Sequence, residues 1–373
     1  MTQTKGLLPE GYRDRLPPQA EAAAVILRAV LDSIAGHGYG RVAPPLAEFE
    51  EELVGRLKSA KSKDLLRFVD SVSMRTLALR PDITAQISRI ATTRLCTAPR
   101  PLRLSYGGPV LKLKATQLRP ERELTQAGAE LIGTDSLPAA IEIILVAIEA
   151  LEAAGVTGIT LDLTMPDLVT HLGASTLALP LERVEAVQAI LDAKDAAALC
   201  AQGAAAYLPL IEAAGPLDKA MARLRAAPFA NALTARLSAI ETIAQAVGSR
   251  AIITLDPTER HGFEYQTWLG FSLFGEGLSG EAGRGGSYTI VHSGDHEEAA
   301  VGFSLFLDPL VDAGLGQRDP RRVFMPQGSD SRIAAKLRSE GWATIAALSP
   351  VEDGALLNCT HILKNGRPQP LKD

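Results

Sequence analysis

The segment 123–132, ELTQAGAELI, constrains the fold of this chain more than any other stretch. It has the length and apolar content of one β-strand, and successive side chains of a strand point to opposite faces of the sheet. Gln126, Gly128 and Glu130 therefore share one face, at steps of about 6.6 Å. An unpaired buried carboxylate is costly, so Glu130 needs a partner or a ligand cation, and Gly128 leaves room for a small molecule. A solvent-facing strand with a polar stripe would give the same pattern, and both interpretations stay open here.

Strand and helix signals on both sides of this segment predict an α+β unit with a mixed, mostly antiparallel sheet. Helical spacing of apolar residues predicts helices at 19–37, after Pro81, at 137–154 and at 298–312. Further strands are predicted at 39–46, 73–80, 103–112, 157–164, 251–255, 263–274 and 287–291. The Ala- and Leu-rich stretch from about 167 to 248 is predicted as an inserted all-helical subdomain.

The chain length predicts more than one structural unit, because 373 residues exceed what one packed core usually holds. We expect one unit at 1–320, which includes the helical insertion, and a truncated α/β tail at 321–373. The tail contains a predicted β–α–β unit at 323–326, 331–340 and 343–348, followed by a hairpin in the sequence THILKNGRPQPL.

Composition excludes several classes of protein. The net charge is −5, so no general electrostatic attraction to nucleic acid or to an anionic membrane is expected. Cys96, Cys200 and Cys359 lie far apart, which favours a reducing compartment and argues against structural zinc or a disulfide framework. The sequence starts without the apolar core of a signal peptide and has no run of about 18 apolar residues. We therefore expect a soluble cytoplasmic protein.

Three further motifs have more than one interpretation. Asp82 and Thr84 follow Pro81, where they either cap the next helix or contribute to a site. The glycine-rich stretch 280–288 is a mobile loop or a ligand cradle, but it lacks the Lys-Ser/Thr pair of a P-loop. His261 opens a polar and aromatic segment and is a surface residue, a cap or a ligand contact. Since no Ser–His–Asp spacing, metal-ligand cluster or GxGxxG after a strand occurs, we expect no cofactor and no metal.

The order of segments along the chain resembles the catalytic domain of class II histidyl-tRNA synthetases over residues 6–310. The matching segments are GLLPEGYRDRLP, GYGRVAPPLAEFE, LALRPDITAQISR, RLSYGGPVLK, ELTQAGAELIG, HGFEYQTWLGF, GRGGSYTIV and AVGFSLFLDPL. The resemblance implies a class II aminoacyl-tRNA synthetase-like α+β fold, with six or seven antiparallel strands and flanking helices. It also implies a homodimer formed through the region around Pro44 and Pro45.

Carried over residue by residue, the resemblance implies a partly retained amino-acid pocket. The family's Glu-Gly-Thr turn, which holds the histidine ammonium, reads Asp82-Ile83-Thr84 here. Its glutamine and glutamate on the motif 2 return strand match Gln126 and Glu130, which would contact the ammonium and imidazole groups of L-histidine. His261 and Tyr265 would lie nearby.

The same comparison implies that the ATP-binding groups are lost, so that the chain has no catalytic residue of its own. The motif 2 Arg-x-Glu reads Lys112-Leu113-Lys114, and the motif 3 arginine aligns with Pro309. The catalytic arginine of the family aligns with His261, and the last tyrosine of the same motif aligns with Gln266. Lysine, histidine and proline do not replace a bidentate guanidinium at a phosphate site.

Only 53 residues follow Pro320, too few for the family's anticodon-binding domain. A synthetase-like body without ATP arginines resembles the regulatory subunits of ATP phosphoribosyltransferase, a paralogous family that acts in the first step of histidine biosynthesis. This implies activation of a short-form catalytic subunit within a hetero-octamer, and feedback inhibition by histidine. Three alternatives remain: a ligase that activates an amino acid for an acceptor other than tRNA, a divergent histidyl-tRNA synthetase, and a scaffold without ligand in which Gln126 and Glu130 satisfy each other and a buried arginine.

Overall fold

The computed structural model describes residues 7–53, 65–114, 121–260, 266–292, 296–318 and 321–371. The chain divides into two compact units, Met1–Gly316 and Gln317–Asp373. Within the described residues, no helix combines the length and apolar character that crossing a lipid bilayer requires.

A nine-stranded sheet forms the centre of the first unit. In sheet order its strands are β1 (Gly40–Arg41), β5 (Leu102–Leu111), β6 (Glu123–Ile132), β12 (Glu297–Phe306), β11 (Gly283–Val291), β10 (Gln266–Phe274), β7 (Thr160–Thr164), β9 (Ile252–Leu255) and β8 (Gly215–Pro216). The six strands from β5 to β7 are antiparallel, whereas β1 pairs with β5 and β9 pairs with β7 in parallel. The expected antiparallel core is therefore present, and short strands extend it at both edges.

Two long helices cover one face of this sheet. They are α1 (Gln19–Gly36) and α4 (Leu137–Ala153), whose apolar side chains pack on the inward residues of β6 and β12. Ala127 and Phe303 belong to this core. Because strand side chains alternate, Gln126 and Glu130 point to the opposite face, where a second apolar cluster surrounds them.

That second face is bordered by a smaller sheet of order β2-β4-β3, with β2 at Ala47–Phe49, β4 at Thr76–Leu79 and β3 at Leu66–Val69. Helix α2 (Glu50–Leu53) follows β2, and helix α3 (Thr84–Thr93) follows β4. Ile83 and Ile87 anchor α3 in the apolar cluster beside β5. The amino end of α3 is thereby held against the polar face of β6.

The stretch between β7 and β9 is mostly helical. Its helices are α5 (Leu168–Gly173), α6 (Leu181–Asp192), α7 (Ala196–Ala201), α8 (Leu208–Glu212), α9 (Leu217–Ala226) and α10 (Ala230–Val247). Two short 3₁₀ turns occur at Ala205–Tyr207 and Gly248–Arg250. The two-residue strand β8 also lies here and pairs with β9, so the insertion is not purely helical.

Three secondary-structure predictions were wrong in part. The helix predicted at 298–312 is the strand β12 followed by the short helix α11 (Asp308–Asp312). In β12, Val301, Phe303 and Leu305 face the helical layer and the residues between them face the site, which is the alternation of a strand. The strand predicted at 39–46 is reduced to β1, because Pro44 and Pro45 cannot donate to a strand ladder. Strand β11 begins at Gly283, inside the stretch predicted as a loop.

The second unit has a four-stranded sheet of order β14-β13-β15-β16. Its elements are β13 (Arg322–Met325), α12 (Ser331–Ser339), β14 (Ala343–Ala346), β15 (His361–Lys364) and β16 (Arg367–Pro370). The predicted β–α–β unit and the final hairpin are confirmed. Asn365 and Gly366 both have positive φ, at 50° and 74°, as a two-residue hairpin turn requires.

Candidate functional site

Glu130 lies at the centre of a buried polar cluster on the second face of the large sheet. The residue is 1% exposed. Its Oε1 atom accepts hydrogen bonds from the hydroxyls of Thr84 and Tyr106, each at 3.0 Å, and its Oε2 atom accepts one from the hydroxyl of Tyr288 at 2.8 Å. The face of β6 that bears Glu130 is therefore buried rather than solvent-facing.

Burial raises the pKa of Glu130 to about 8, and the nearby charge of Asp82 adds to this effect. The hydrogen bonds from Tyr288, Thr84 and Tyr106 act in the opposite direction. At neutral pH Glu130 is therefore mostly protonated when no cation lies beside it. A ligand cation beside it would stabilise the carboxylate, because opposite charges favour ionisation.

Gln126 joins the start of α3 to Ser304 of β12. Its Oε1 atom accepts a hydrogen bond from the backbone amide of Ile83 at 3.0 Å. Its Nε2 atom donates to Asp82 Oδ2 at 2.8 Å and to Ser304 Oγ at 2.6 Å. Asp82 Oδ1 in turn accepts from the backbone amide of Thr84 at 2.7 Å. Asp82 thus stabilises the first turn of α3 and contributes to the cluster, so the two interpretations of this motif are compatible.

We define the Glu130 cluster by the side chains that these hydrogen bonds connect, namely Asp82, Thr84, Tyr106, Gln126, Glu130, Tyr288 and Ser304. The hydroxyls of Tyr106 and Ser304 lie 2.9 Å apart and close the network. Tyr106 is fully buried, and its burial raises the pKa of its phenol well above the usual value, so it remains a hydroxyl donor.

Glycines allow the polar groups to lie flat on the sheet. A Cβ atom on Gly302 would overlap Glu130 Oε2. A Cβ on Gly128 would overlap the carbonyl of Phe303 and would stand 2.6 Å from the Tyr106 hydroxyl. Above this floor lies a narrow cavity, and its walls include Thr84, Glu130, Gln266, Arg284, Tyr288 and Ser304.

Four of the six predicted ligand-binding residues, Asp82, Thr84, Gln126 and Glu130, meet in this cluster. The other two, His261 and Tyr265, lie outside the described residues. Sequence reasoning missed the residues that complete the site, which are Tyr106, Tyr288, Ser304 and Gln266. Tyr106 pairs with Gly128 across the β5–β6 ladder. Ser304 pairs with Gly128 from the other side, in β12, although the two residues are 176 positions apart in the sequence. A pattern within one segment does not predict such a pairing.

Of the positions at which the resemblance implies lost ATP-binding groups, Lys112 and Lys114 follow β5, Pro309 follows β12, Gln266 begins β10, and His261 lies outside the described residues. Pro309 stands in the first turn of α11, next to the buried carboxylate of Asp308. Asp308 forms an ion pair with Arg15 and accepts a hydrogen bond from the amide of Thr125 at 2.7 Å. Lys114 is exposed. Among the described residues, no group of three or more His, Cys, Asp or Glu side chains is placed to hold a metal ion.

Comparisons with known proteins agree with this geometry. The family model described as histidyl-tRNA synthetase matches residues 11–310. A relative named ATP phosphoribosyltransferase regulatory subunit, from Rhodospirillum centenum, is 40% identical over 383 residues and covers 100% of this chain and 98% of its own. The relative of the same name from Paramagnetospirillum magneticum is 42% identical over 355 residues, with coverages of 94% and 92%.

Solved structures give the same fold. One from Bacillus halodurans, described as an ATP phosphoribosyltransferase regulatory subunit/histidyl-tRNA synthetase, superposes with a TM-score of 0.79 at 23% identity and covers 96% of this chain and 97% of its own. Histidyl-tRNA synthetase from Nostoc sp. PCC 7120 superposes with a TM-score of 0.76 at 17% identity, with coverages of 95% and 89%. The class II synthetase-like fold predicted from the sequence is confirmed.

Proposed function

Because this chain belongs to the family of ATP phosphoribosyltransferase regulatory subunits, which is built on the histidyl-tRNA synthetase fold, we propose that it binds L-histidine in the Glu130 cluster and thereby controls a separate catalytic subunit. Its role is regulatory and belongs to histidine biosynthesis, while the partner subunit carries out the phosphoribosyl transfer. The histidine pocket, the feedback inhibition and the stoichiometry of the complex are parts of the proposal.

The observation that carries the proposal is the chain of hydrogen bonds that connects Gln126, Asp82, Thr84 and Glu130. Thr84 and Glu130 of this chain line the cavity. Two carboxyl groups and a carboxamide suit a ligand with an ammonium group and an imidazole, because charge-assisted hydrogen bonds are stronger than neutral ones. The particular pairing that the scaffold alternative invokes, in which Gln126 and Glu130 bond to each other and to a buried arginine, is not among the hydrogen bonds of the described residues. Each bonds to other polar groups, and the buried Arg80 bonds instead to the carbonyls of Pro44 and Pro109.

Regulation follows if histidine binds the active and inhibited assemblies with different affinities. A ligand shifts an equilibrium only by its differential affinity for the two states. Allosteric coupling energies are typically about 1–3 kcal/mol, which corresponds to roughly 5- to 150-fold in affinity. Feedback inhibition of this size needs no catalytic group on the regulatory chain.

Reconstitution with the short-form catalytic subunit tests the proposal. Phosphoribosyl transfer to ATP is measured for the catalytic subunit alone, for the complex, and for the complex with increasing L-histidine. We expect activation by the wild-type chain and inhibition by histidine. Glu130→Gln retains activation but loses at least tenfold in histidine sensitivity. Glu123→Gln, an exposed position at the start of the same strand, is the matched control and keeps both properties.

Two results would contradict this function. Equal histidine affinities of wild type and Glu130→Gln, measured by calorimetry on the complex, would remove Glu130 from the pocket. Histidine-dependent exchange between ATP and pyrophosphate by this chain alone would support an amino-acid-activating ligase instead, despite the positions of Lys114 and Pro309.

We further propose a homodimer through the region of Pro44 and Pro45, within a hetero-octamer, in the cytoplasm. An open groove runs along this region between β2 and α3, and its walls include Pro44, Phe49 and Ile90. Light scattering after size-exclusion chromatography should give a dimer for the wild-type chain and a monomer for Ile90→Arg. A monomeric wild-type chain, or a dimer that survives this substitution, would contradict the proposed interface.

A further inference from the structure

A row of three glycines crosses the large sheet beside Glu130. The strand registers pair Glu130 with Gly302, Gly302 with Gly286, Gly286 with Gly270, and Gly270 with Thr164. Residues paired directly across a sheet share one face, so these glycines form the floor of a trench that extends from β6 to β7. Four interstrand spacings of about 4.8 Å give the trench a length of about 19 Å.

The side chain of Gln266 lies across this floor. A Cβ on Gly270 would overlap Gln266 Oε1, and a Cβ on Gly286 would stand 2.8 Å from Gln266 Nε2. Gln266 Nε2 donates a hydrogen bond to the carbonyl of Gly285 at 2.7 Å, which holds the carboxamide in place. The trench is therefore divided at β10 and β11.

A second, narrow cavity lies on the far side of this carboxamide. Its walls include Asp162, Thr164, Glu259, Gln266, Ser272 and Arg284. Gln266 and Arg284 also line the cavity above Glu130, so the two cavities share one wall. Arg284, Ser272 and Asp162 are neighbours in the adjacent row of the sheet and form a common rim.

The far cavity has an excess of negative charge. Asp162 and Glu259 line it, and the one cationic side chain among its lining residues, Arg284, forms an ion pair with Glu281. Thr254 donates a hydrogen bond to the carboxylate of Asp162. Burial raises the pKa of Asp162, and Asp162 and Glu259 are hydrogen-bonded to each other. A cationic group that entered this cavity would meet this pair of acidic side chains and would favour their ionised forms.

We propose that the Gln266 side chain is a partition between the two cavities and determines specificity, because it limits the pocket beside Glu130 to a side chain of the length of histidine. Once this partition is removed, the cavity behind it accepts a guanidinium group. The inference rests on the proposed function, since it assumes that an amino acid binds beside Glu130. Gln266 thus excludes L-arginine from a pocket whose far end would otherwise attract it.

Calorimetry on the full-length chain with L-histidine, L-arginine and L-citrulline tests the partition. We expect Gln266→Ala to bind L-arginine at least tenfold more tightly than the wild type does. L-citrulline has the shape of arginine without its charge, and we expect its affinity for Gln266→Ala to exceed that for the wild type by less than threefold. Gln266→Leu keeps the volume of the partition and continues to exclude arginine. Gln202→Ala, the same change at an exposed position in the helical insertion, behaves as the wild type.

Asp162→Asn in the Gln266→Ala background should reverse the gain for arginine, and circular dichroism with thermal unfolding confirms that each variant is folded. A folded Gln266→Ala chain that binds arginine no better than the wild type overturns the partition, and so does an equal gain in Gln266→Leu. If the wild type binds histidine in that case, the proposed function stands. If the wild type does not bind histidine but Gln266→Ala gains arginine, the partition stands and the histidine pocket fails.

Discussion

The buried carboxyl group of Glu130 predicts an unusual dependence of stability on pH. Burial raises its pKa in the folded chain to about 8, against 4.5 for the exposed group. Between these two values the unfolded chain releases a proton that the folded chain keeps, so stability falls as the pH rises. Stability from this group is fully present below pH 4.5, and the loss is complete once the pH exceeds 8.

The magnitude follows from the separation of the two pKa values. Each unit corresponds to about 1.4 kcal/mol, so 3.5 units give a total of about 5 kcal/mol. From pH 5 to pH 7 the expected loss is about 2–3 kcal/mol, relative to a chain that carries a neutral residue at the same position. Glu130→Gln is that reference, since the carboxamide has the shape of the acid and does not titrate.

Urea unfolding of wild type and Glu130→Gln at several pH values between 5 and 8 measures this loss. The chain has two tryptophans, Trp268 in β10 and Trp342 in the second unit. A Trp342→Phe background leaves Trp268 as the fluorescence reporter of the first unit. Glu123→Gln is the control, and we expect its profile to run parallel to that of the wild type.

The free-energy difference between wild type and Glu130→Gln should change by about 2–3 kcal/mol between pH 5 and pH 7, in favour of the variant at the higher pH. Parallel profiles for the two chains would contradict this prediction, because they would mean that the hydroxyls around Glu130 already hold its carboxyl group ionised.

Three further perturbations test packing and pairing around the site. Gly302→Ala should displace the carboxyl group of Glu130, reduce histidine affinity by more than tenfold and destabilise the chain by about 1–3 kcal/mol. An unchanged histidine affinity in calorimetry would show that the site does not need a glycine at this position. Arg15→Ala, which leaves the buried Asp308 without its cation, should cost about 2–3 kcal/mol in urea unfolding, whereas Arg13→Ala at an exposed pair should cost less than about 1 kcal/mol. Equal losses would show that burial does not set the strength of these pairs. Met74 has a φ of 57°, so Met74→Gly should raise the thermal midpoint, with a gain of up to about 1 kcal/mol; a lower midpoint would indicate that the exposed methionine side chain stabilises its turn.

The local sequence pattern was sufficient to predict those helices and strands whose residue spacing and end signals point to the same structure. Helices α1 and α4 combine helical spacing with clear ends, and they lie where the sequence placed them. The hairpin of the second unit was predicted over the stretch THILKNGRPQPL, and it forms there with Asn365 and Gly366 at its turn. In each case, neighbouring residues supply the information that determines the structure.

The helix predicted over β12 failed for a physical reason. The residues AAVGFSLF have high apolar content, and helical and strand periods are hard to distinguish in so short a run. Long-range pairing with β6 and β11 makes this segment a strand. Only glycine fits at position 302, because the carboxyl group of Glu130 occupies the space that a Cβ atom would take. The same pairing brings Ser304 into the site. A single sequence contains both partners of the ladder but not their register.

The carboxyl half of β12 and the helix α11 that follows it carry two different sets of polar groups. Gly302 and Ser304 line the cavity beside Glu130, where hydroxyl, carboxyl and carboxamide groups offer hydrogen bonds. In α11, Asp308 and Asp312 pair with Arg15 and Arg13, so both of these cations are already neutralised. An anionic group that approached them would meet two carboxylates, which opposes its binding. If histidine binds beside Glu130 as proposed, its binding energy is available to shift the equilibrium between states of the complex.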